Sequence, residues 1–398
     1  MSAGVSFGER SFGLGEAEAR GREALALLGL GAELDSCGSG DPTAWRCTLT
    51  ADGAPVPSGV GLGKGDSRAA RTGALYEALE HFLTQEEDFD PLTTVLRSVE
   101  EVCASEIGDD ACAPLLREQP GRMLACREYA SLIGGAPLAV PLFLSNTWWV
   151  EDAAKGKRRE AGDNFDYTAV CRYSTNNGSA IGGSYEEAAV HAVNEAIERD
   201  ALSMFMANAY LNPSPDPIRI LDREGLPENL TATLHAVEEQ TGRDVVLIDM
   251  TTDIGVPTTL AYAAGPHGQY LRGCGTSLSR THSAQRALTE LLQGHLAGTT
   301  HIDVRMKGLA KLDGHPALQR CAALDLDQAT APRAQVPFRD TRAPSTPALH
   351  LREIGTRLAI RGFTAHTAVT HTLPNGVTTV HTHVPRLERF LHISDGFP

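Results

Sequence analysis

The stretch Glu195-Ala196-Ile197-Glu198-Arg199 nearly repeats Glu77-Ala78-Leu79-Glu80-His81. In each copy two carboxylates stand three residues apart, a spacing that places both on one face of a helix. Side by side they repel. Arg199 offsets one pair, whereas His81 is mostly neutral at pH 7 and offsets little. The other neighbours are mainly apolar, so these carboxylates read as half-buried and in need of a cation. A hard divalent metal with a phosphate behind it is the simplest source. A third segment, Arg286-Ala287-Leu288-Thr289-Glu290-Leu291-Leu292-Gln293, sets Arg286, Glu290 and Gln293 at i, i+4 and i+7 on a single stripe. One such stripe reads as a salt-bridged face. Three of them, each after a glycine-rich turn, point to a converging site.

The chain has 398 residues, of which 42% are hydrophobic, enough for two intimately packed lobes rather than one simple layer. A formal charge of -15 argues against a nucleic-acid phosphate track and an anionic membrane surface. The start, Met1-Ser2-Ala3-Gly4-Val5-Ser6, lacks the basic and apolar regions of a signal peptide, and no apolar run is long enough for a membrane span. A cytoplasmic protein is expected. The eight cysteines are scattered with no C-x-x-C pair, which predicts reduced thiols and no cysteine zinc site. Cys274, in a glycine-rich turn, reads as a small buried residue rather than a catalytic thiol.

Along the chain, residues 14–29 form an amphipathic helix ending at Gly29. Trp45–Thr50 is a strand leading to an Asp52-Gly53 hairpin turn. After Gly59-Val60-Gly61-Leu62-Gly63-Lys64-Gly65-Asp66 comes a helix from about Ser67, its expected cap, to Gln85. Leu138–Leu144 reads as a strand pushed to a sheet edge by Pro141, with Trp148-Trp149 closing a core. Residues 152–160 read as a charged, mobile loop. Ser184 with Glu187 has capping-box spacing and opens a helix to about Ala209. Val245–Met250 and Thr258–Ala263 are buried strands. Residues 331–347 read as a Pro-rich surface loop, and Val377–Val384 as the second arm of a hairpin turning at Asn375-Gly376. On that arm His381 and His383 share a face. Without a third ligand they are expected to face solvent. Gly63-Lys64-Gly65 lacks the Ser or Thr of a Walker loop, and no serine-hydrolase elbow or complete dinucleotide fingerprint is present.

The ordered set Gly63-Lys64-Gly65, Glu77-x-x-Glu80-His81, Asn177-Gly178 with Gly182, Glu187, Glu195-x-x-Glu198-Arg199-Asp200, and Arg286-x-x-x-Glu290-x-x-Gln293 resembles the YcaO family. The motifs span roughly residues 55 to 300, and Val384–Phe390 resembles the family's tail. The resemblance implies a mixed α+β fold with ATP held between helices, laid out as residues 1–54, a core of 55–300 and a completing subdomain of 301–398. It implies Mg2+ and ATP as cofactors and a ribosomally made precursor peptide as substrate. The implied chemistry is addition of a Cys, Ser or Thr side chain to the preceding carbonyl, phosphorylation of the resulting oxyanion by ATP, and departure of phosphate to leave an azoline.

Carried over by motif, Glu77, Glu80, Glu187, Glu195 and Glu198 would hold magnesium. Lys64, Arg286 and Gln293 would meet phosphate or metal, and Glu290 would be a ligand or an orienter of Arg286. Two positions depart from the family pattern: Gly73 where a serine is frequent, which removes a hydroxyl near nucleotide or metal, and His81 where arginine is frequent. A homodimer and a separate leader-binding partner are further expectations, since the chain reads as standing alone, and the end at Gly396-Phe397-Pro398 would place a carboxylate near the site. The same activation with an internal amine gives a macrolactamidine, and with external sulfide a thioamide. Two other classes remain open. One is a non-catalytic nucleotide-binding scaffold; the other is a zinc hydrolase using His191, four residues before Glu195.

Overall fold

Glycines in three strands let three helices settle directly on backbone, and this pairing sets the architecture. The computed structural model describes residues 8–85, 93–265, 270–298 and 309–395. In the first unit the helix Ser67–Leu83 lies on the strand Ala54–Gly65. A Cβ at Gly63 would stand 1.7 Å from the Ala70 carbonyl oxygen, and one at Gly61 2.2 Å from the Ala78 nitrogen, so no side chain fits at either. The helix Arg280–Leu296 rides on Tyr270–Thr276 the same way, with Gly273 and Gly275 against its backbone. The helix Tyr185–Tyr210 follows the strand Ser179–Gly182, and Ala188 and Ala192 pack with Ala180 and Val380.

The units close on one another. Helix Ser67–Leu83 touches the strand of the Tyr185–Tyr210 unit, that helix touches Tyr270–Thr276, and Arg280–Leu296 touches Ala54–Gly65. Apolar faces turned to the strands and polar stripes turned to the shared interior follow from helical periodicity.

Three sheets carry these units. The first is antiparallel, Gly31–Ser36, Thr43–Ala51 and Ala54–Gly65, with Thr43 opposite Gly65. The second runs in the order Tyr270–Thr276, Thr258–Ala264, Val246–Asp249, Ile218–Leu221 and Arg333–Val336, the last pairing parallel. The third runs Thr94–Ser98, Met123–Ser131, His366–Thr372, Thr378–His383 and Ser179–Gly182, with Leu138–Pro141 also on Met123–Ser131. It therefore draws strands from both the middle and the end of the chain. This mixed α+β fold is the expected class.

Several local expectations need correction. Asp66 rather than Ser67 caps the first stripe helix, its carboxylate accepting from Arg68 N at 3.0 Å and Ala69 N at 2.9 Å. Ser67 sits inside the first turn because the aspartate one residue earlier is the stronger acceptor. Residues 152–160 are not a loop but a 3-10 turn and the short helix Lys155–Glu160, tied down by the buried Arg158 donating to the Trp149 and Glu151 carbonyls. The strand Leu138–Pro141 ends where Pro141 removes a donor, and Leu142–Leu144 turn into 3-10 helix. Within 331–347, Arg333–Val336 is an edge strand. The chain end Gly396-Phe397-Pro398 lies outside the described residues. Among the described residues no helix is long and apolar enough to cross a membrane.

Candidate active site

The three polar stripes face one another. Leu62 N donates to Glu77 at 3.1 Å, which ties the first helix's carboxylate to the glycine strand beneath it. Lys64, from the same strand, pairs with Glu290 of the third helix. The Cys274 amide donates to that carboxylate as well, at 3.3 Å. Arg199 reaches Glu195 at 3.1 Å and Glu198 at 3.5 Å on the second helix, as its spacing predicts. Arg286 donates to His191 at 3.4 Å. Glu290 is thus a partner of Lys64.

Burial and like charge raise the pKa of several of these groups. Glu80 is pushed well above the usual carboxylate range by burial, then by Glu195 and Glu77 beside it. Glu77 is raised by burial against partial relief from His81 and the Leu62 amide. Glu198 is pushed up to about 7 by burial and by Glu290. Burial would also raise Glu290, but Lys64 and Arg199 hold it at about 2. The site is short of positive charge around Glu80 and rich in it around Glu290.

That imbalance fits a metal–phosphate ligand. Among the described residues no three His, Cys, Asp or Glu side chains already stand close enough to hold an ion alone. Magnesium does not need them to: it takes one or two carboxylates and completes its shell with phosphate oxygens and water. Donors for phosphate are also in place. The Nε atoms of Arg199 and Arg286 are buried and lack a partner among the described residues. Zinc held by His191 does not fit, because the imidazole Nδ1 is already met by Arg286 at 3.4 Å and the positive charge of that guanidinium opposes a second cation there.

Other expected positions fall as follows. Glu187 lies near the start of the second helix, where Ser184 accepts from its amide at 3.3 Å. The capping box is not closed, since the Glu187 carboxylate instead takes Arg10 at 2.7 Å and Ser11 N at 3.2 Å. Gly73 is exposed, and a Cβ there would meet the Gly63 Cα at 3.5 Å, an ordinary contact. Gln293 follows Glu290 by one turn on the third helix. Cys274 is buried, and burial pushes its thiol up to about 12, which removes it as a nucleophile. All eight cysteines are free.

His381 and His383 do not face solvent. They are 2% and 1% exposed, because Thr378–His383 lies inside the third sheet with both faces covered. His381 accepts from the Tyr129 hydroxyl at 2.9 Å and donates to the Asn177 carbonyl at 3.0 Å. His383 donates to Asp110 at 2.9 Å and accepts from Arg389 at 2.8 Å. These partners fix each neutral tautomer and leave no lone pair for a metal. The tail is pinned to the second helix: Asp200 accepts from Glu388 N at 2.9 Å and Ser203 from Leu391 N at 3.0 Å. Sequence spacing gave no sign of Arg10 or Asp110 as partners, since they meet Glu187 and His383 only through the fold.

An uncharacterized protein encoded in the tfuA 3' region of Rhizobium leguminosarum bv. trifolii is 25% identical over 277 residues, covering 66% of this chain and 61% of its own length. Among solved structures, YcaO from Methanopyrus kandleri bound with AMPPCP and Mg2+ aligns with a TM-score of 0.66 at 20% identity, over 98% of this chain and 95% of that one. A heterocyclase in complex with substrate and cofactor aligns with a TM-score of 0.67 at 16% identity, over 96% of this chain and 54% of that one. At these identities both show a shared fold. Residues 62–388 match the YcaO cyclodehydratase family, described as binding ATP and Mg2+, and that span covers most of the molecule. The chain belongs to the YcaO family, whose members bind ATP with Mg2+.

Proposed function

We propose that this protein uses Mg–ATP to activate a backbone amide of a ribosomally made peptide, closing a Cys, Ser or Thr side chain onto the preceding carbonyl to give an azoline. The observation that carries the reading is the meeting of Glu77, Glu80, Glu195, Glu198 and Glu290, from three helices, with Lys64, Arg199 and Arg286. Bound Mg–ATP supplies a γ-phosphoryl group that accepts the amide oxygen, so that this oxygen departs as phosphate and ADP is released.

In this scheme Glu80 and Glu195, which crowd each other most, hold metal with Glu77 and Glu198. Glu187 stands at the far end of the same stripe. Arg286 and Arg199 direct their unpartnered Nε donors at phosphate, and Gln293 lies on the same face. Lys64 neutralises charge from the glycine strand while its contact with Glu290 keeps it oriented. The nucleophile comes from the peptide, since Cys274 is protonated and buried. A separate leader-binding protein and a homodimer complete the proposal.

The test is incubation of purified protein with ATP, Mg2+ and a candidate precursor, reading phosphate release and peptide mass. Peptide-stimulated phosphate release with loss of one water supports the reading, and tandem fragmentation separates azoline from amidine. Sulfur gained for oxygen assigns the thioamide branch instead. No phosphate release with any peptide assigns a non-catalytic scaffold.

A further inference from the structure

Among the described residues two arginines are buried, Arg127 at 7% exposure and Arg158 at 9%. Arg158 is satisfied by the Trp149 and Glu151 carbonyls. Arg127 is not, for its Nε and Nη1 are enclosed and have no hydrogen-bond partner among the described residues. It stands in the strand Met123–Ser131, flanked by Thr94 on one side and Val140 on the other, so its side chain leaves the sheet from an interior position. The carboxylates near that strand are committed elsewhere. Glu128 points to the opposite face and meets Arg97 at 3.5 Å. Asp163 accepts from Ala125 N at 3.0 Å, the Trp149 indole at 3.1 Å and the Tyr167 hydroxyl at 2.6 Å. A guanidinium enclosed without a counter-charge is strongly unfavourable until an anion completes it.

The surroundings say which anion. Tyr129, two residues on, lies on the same face of the strand, and its hydroxyl donates to His381 Nδ1 at 2.9 Å with the rings edge to face. Burial pushes the Tyr129 phenol up, against Arg127 and the Ser145 hydroxyl beside it. His381 donates in turn to the Asn177 carbonyl at 3.0 Å, and burial keeps this imidazole neutral. Arg389, beyond His381, is balanced by Asp110 through His383. One uncompensated cation among hydroxyls matches a single negative charge, whereas a phosphate dianion would bring a second charge with nothing to meet it. The place in the fold is equally telling. His381 pairs opposite Ser179, and two residues along that strand Ile181 shares its face and packs with Leu75, Ala78 and Leu79 of the first stripe helix, which carries Glu77 and Glu80. Through Tyr129 and His381, Arg127 thus lies along the sheet face that leads to the carboxylate site.

We propose that Arg127 anchors a carboxylate-binding subsite: its guanidinium takes a carboxylate of the peptide substrate, from an acidic side chain or from the peptide's C-terminus, while the reacting amide lies at the Mg–ATP site. That the ligand is the substrate rests on the function proposed above; that the site takes a carboxylate does not. Peptides carrying a carboxylate at a fixed distance from the modified residue are thereby selected.

The experiment is a ligand-observed NMR titration of the full chain with four probes: N-acetylglycine, a minimal peptide C-terminus; N-acetylaspartate α-amide, a minimal acidic side chain; the uncharged N-acetylglycinamide; and inorganic phosphate. At least one carboxylate should bind, the tighter of the two naming its source, and N-acetylglycinamide and phosphate should bind more weakly by about tenfold or more. Arg127→Met should weaken the carboxylate by about 10- to 100-fold, and Arg97→Gln on the neighbouring strand should leave it unchanged. In the wild type the Arg127 15Nε resonance, assigned by its loss in Arg127→Lys, should shift with the carboxylate and not with the amide. The proposal is overturned if N-acetylglycinamide or phosphate matches the carboxylates, or if Arg127→Met binds them as the wild type does. An unmoved Arg127 resonance overturns it whether or not Arg127→Met folds. Carboxylate binding by a protein that takes no Mg–AMPPCP overturns the Mg–ATP reading and leaves the subsite, whereas Mg–AMPPCP binding with no carboxylate binding overturns the subsite alone.

Discussion

Replacing Glu198 with glutamine separates what stabilises the fold from what binds nucleotide. In the folded chain this carboxyl is raised from 4.5 to about 7 by burial and by Glu290. Across that window the folded protein holds a proton that the unfolded chain has released, so stability falls as pH rises and the loss is complete above the folded value. At roughly 1.4 kcal/mol per pH unit the span amounts to about 3 kcal/mol at pH 8. Glutamine resembles the protonated acid and escapes this cost. Glu198→Gln should therefore stabilise the nucleotide-free protein by about 2–3 kcal/mol at pH 8, a rise of about 4 °C in melting temperature for a chain of this size. The gap should close toward pH 5. Mg–AMPPCP at one thousand times its Kd should reverse the order, since it adds about 4.1 kcal/mol to the wild type and nothing to a variant that no longer binds it. Scanning calorimetry from pH 5 to 8, with and without Mg–AMPPCP, reads both effects. A variant that melts below the wild type at pH 8 without nucleotide, or a gap independent of pH, would refute the reasoning.

Other consequences are as direct. Gly63→Ala places a carbon 1.7 Å from the Ala70 carbonyl oxygen and should cost about 3 kcal/mol or more in chemical denaturation. Gly73→Ala has room in the same helix and should stabilise it by about 0.5–1 kcal/mol, and Gly73→Ser should fold normally. His381→Ala strands the Tyr129 hydroxyl and the Asn177 carbonyl and should lower stability by about 2–3 kcal/mol, read as an earlier urea midpoint. Asp110, though burial opposes its charge, is held below the usual range by Arg389 and His383. Its contribution is present above the unfolded value and lost as pH falls, so Asp110→Asn should destabilise the protein at pH 7 and converge with the wild type in acid.

Much of the fold was legible where local rules and global packing agree. The second stripe helix begins after Ser184 and the first helix stops at Gly29, at φ 67, as capping chemistry requires. The convergence of three stripes was also legible, because each put its charges on a face that could not remain in an apolar interior unpaired. What failed was whatever depends on distant partners. His381 and His383 alternate with small residues and read as a solvent face, but a sheet covered on both sides has no solvent face. The Lys64–Glu290 contact was not foreseen because the two stand 226 positions apart in sequence. The charged segment 152–160 read as mobile because nothing local reveals that Arg158 is buried against two carbonyls.

The central claim is that carboxylates from separate helices grip a divalent ion through a nucleotide. Manganese, which accepts the same oxygen ligands as magnesium, makes this visible by electron paramagnetic resonance. Titrating Mn2+ into the protein with and without AMPPCP should show tight ion binding only when nucleotide is present, lost in both Glu195→Gln and Glu198→Gln. Nucleotide-dependent Mn2+ binding that survives both substitutions at wild-type strength would contradict the account.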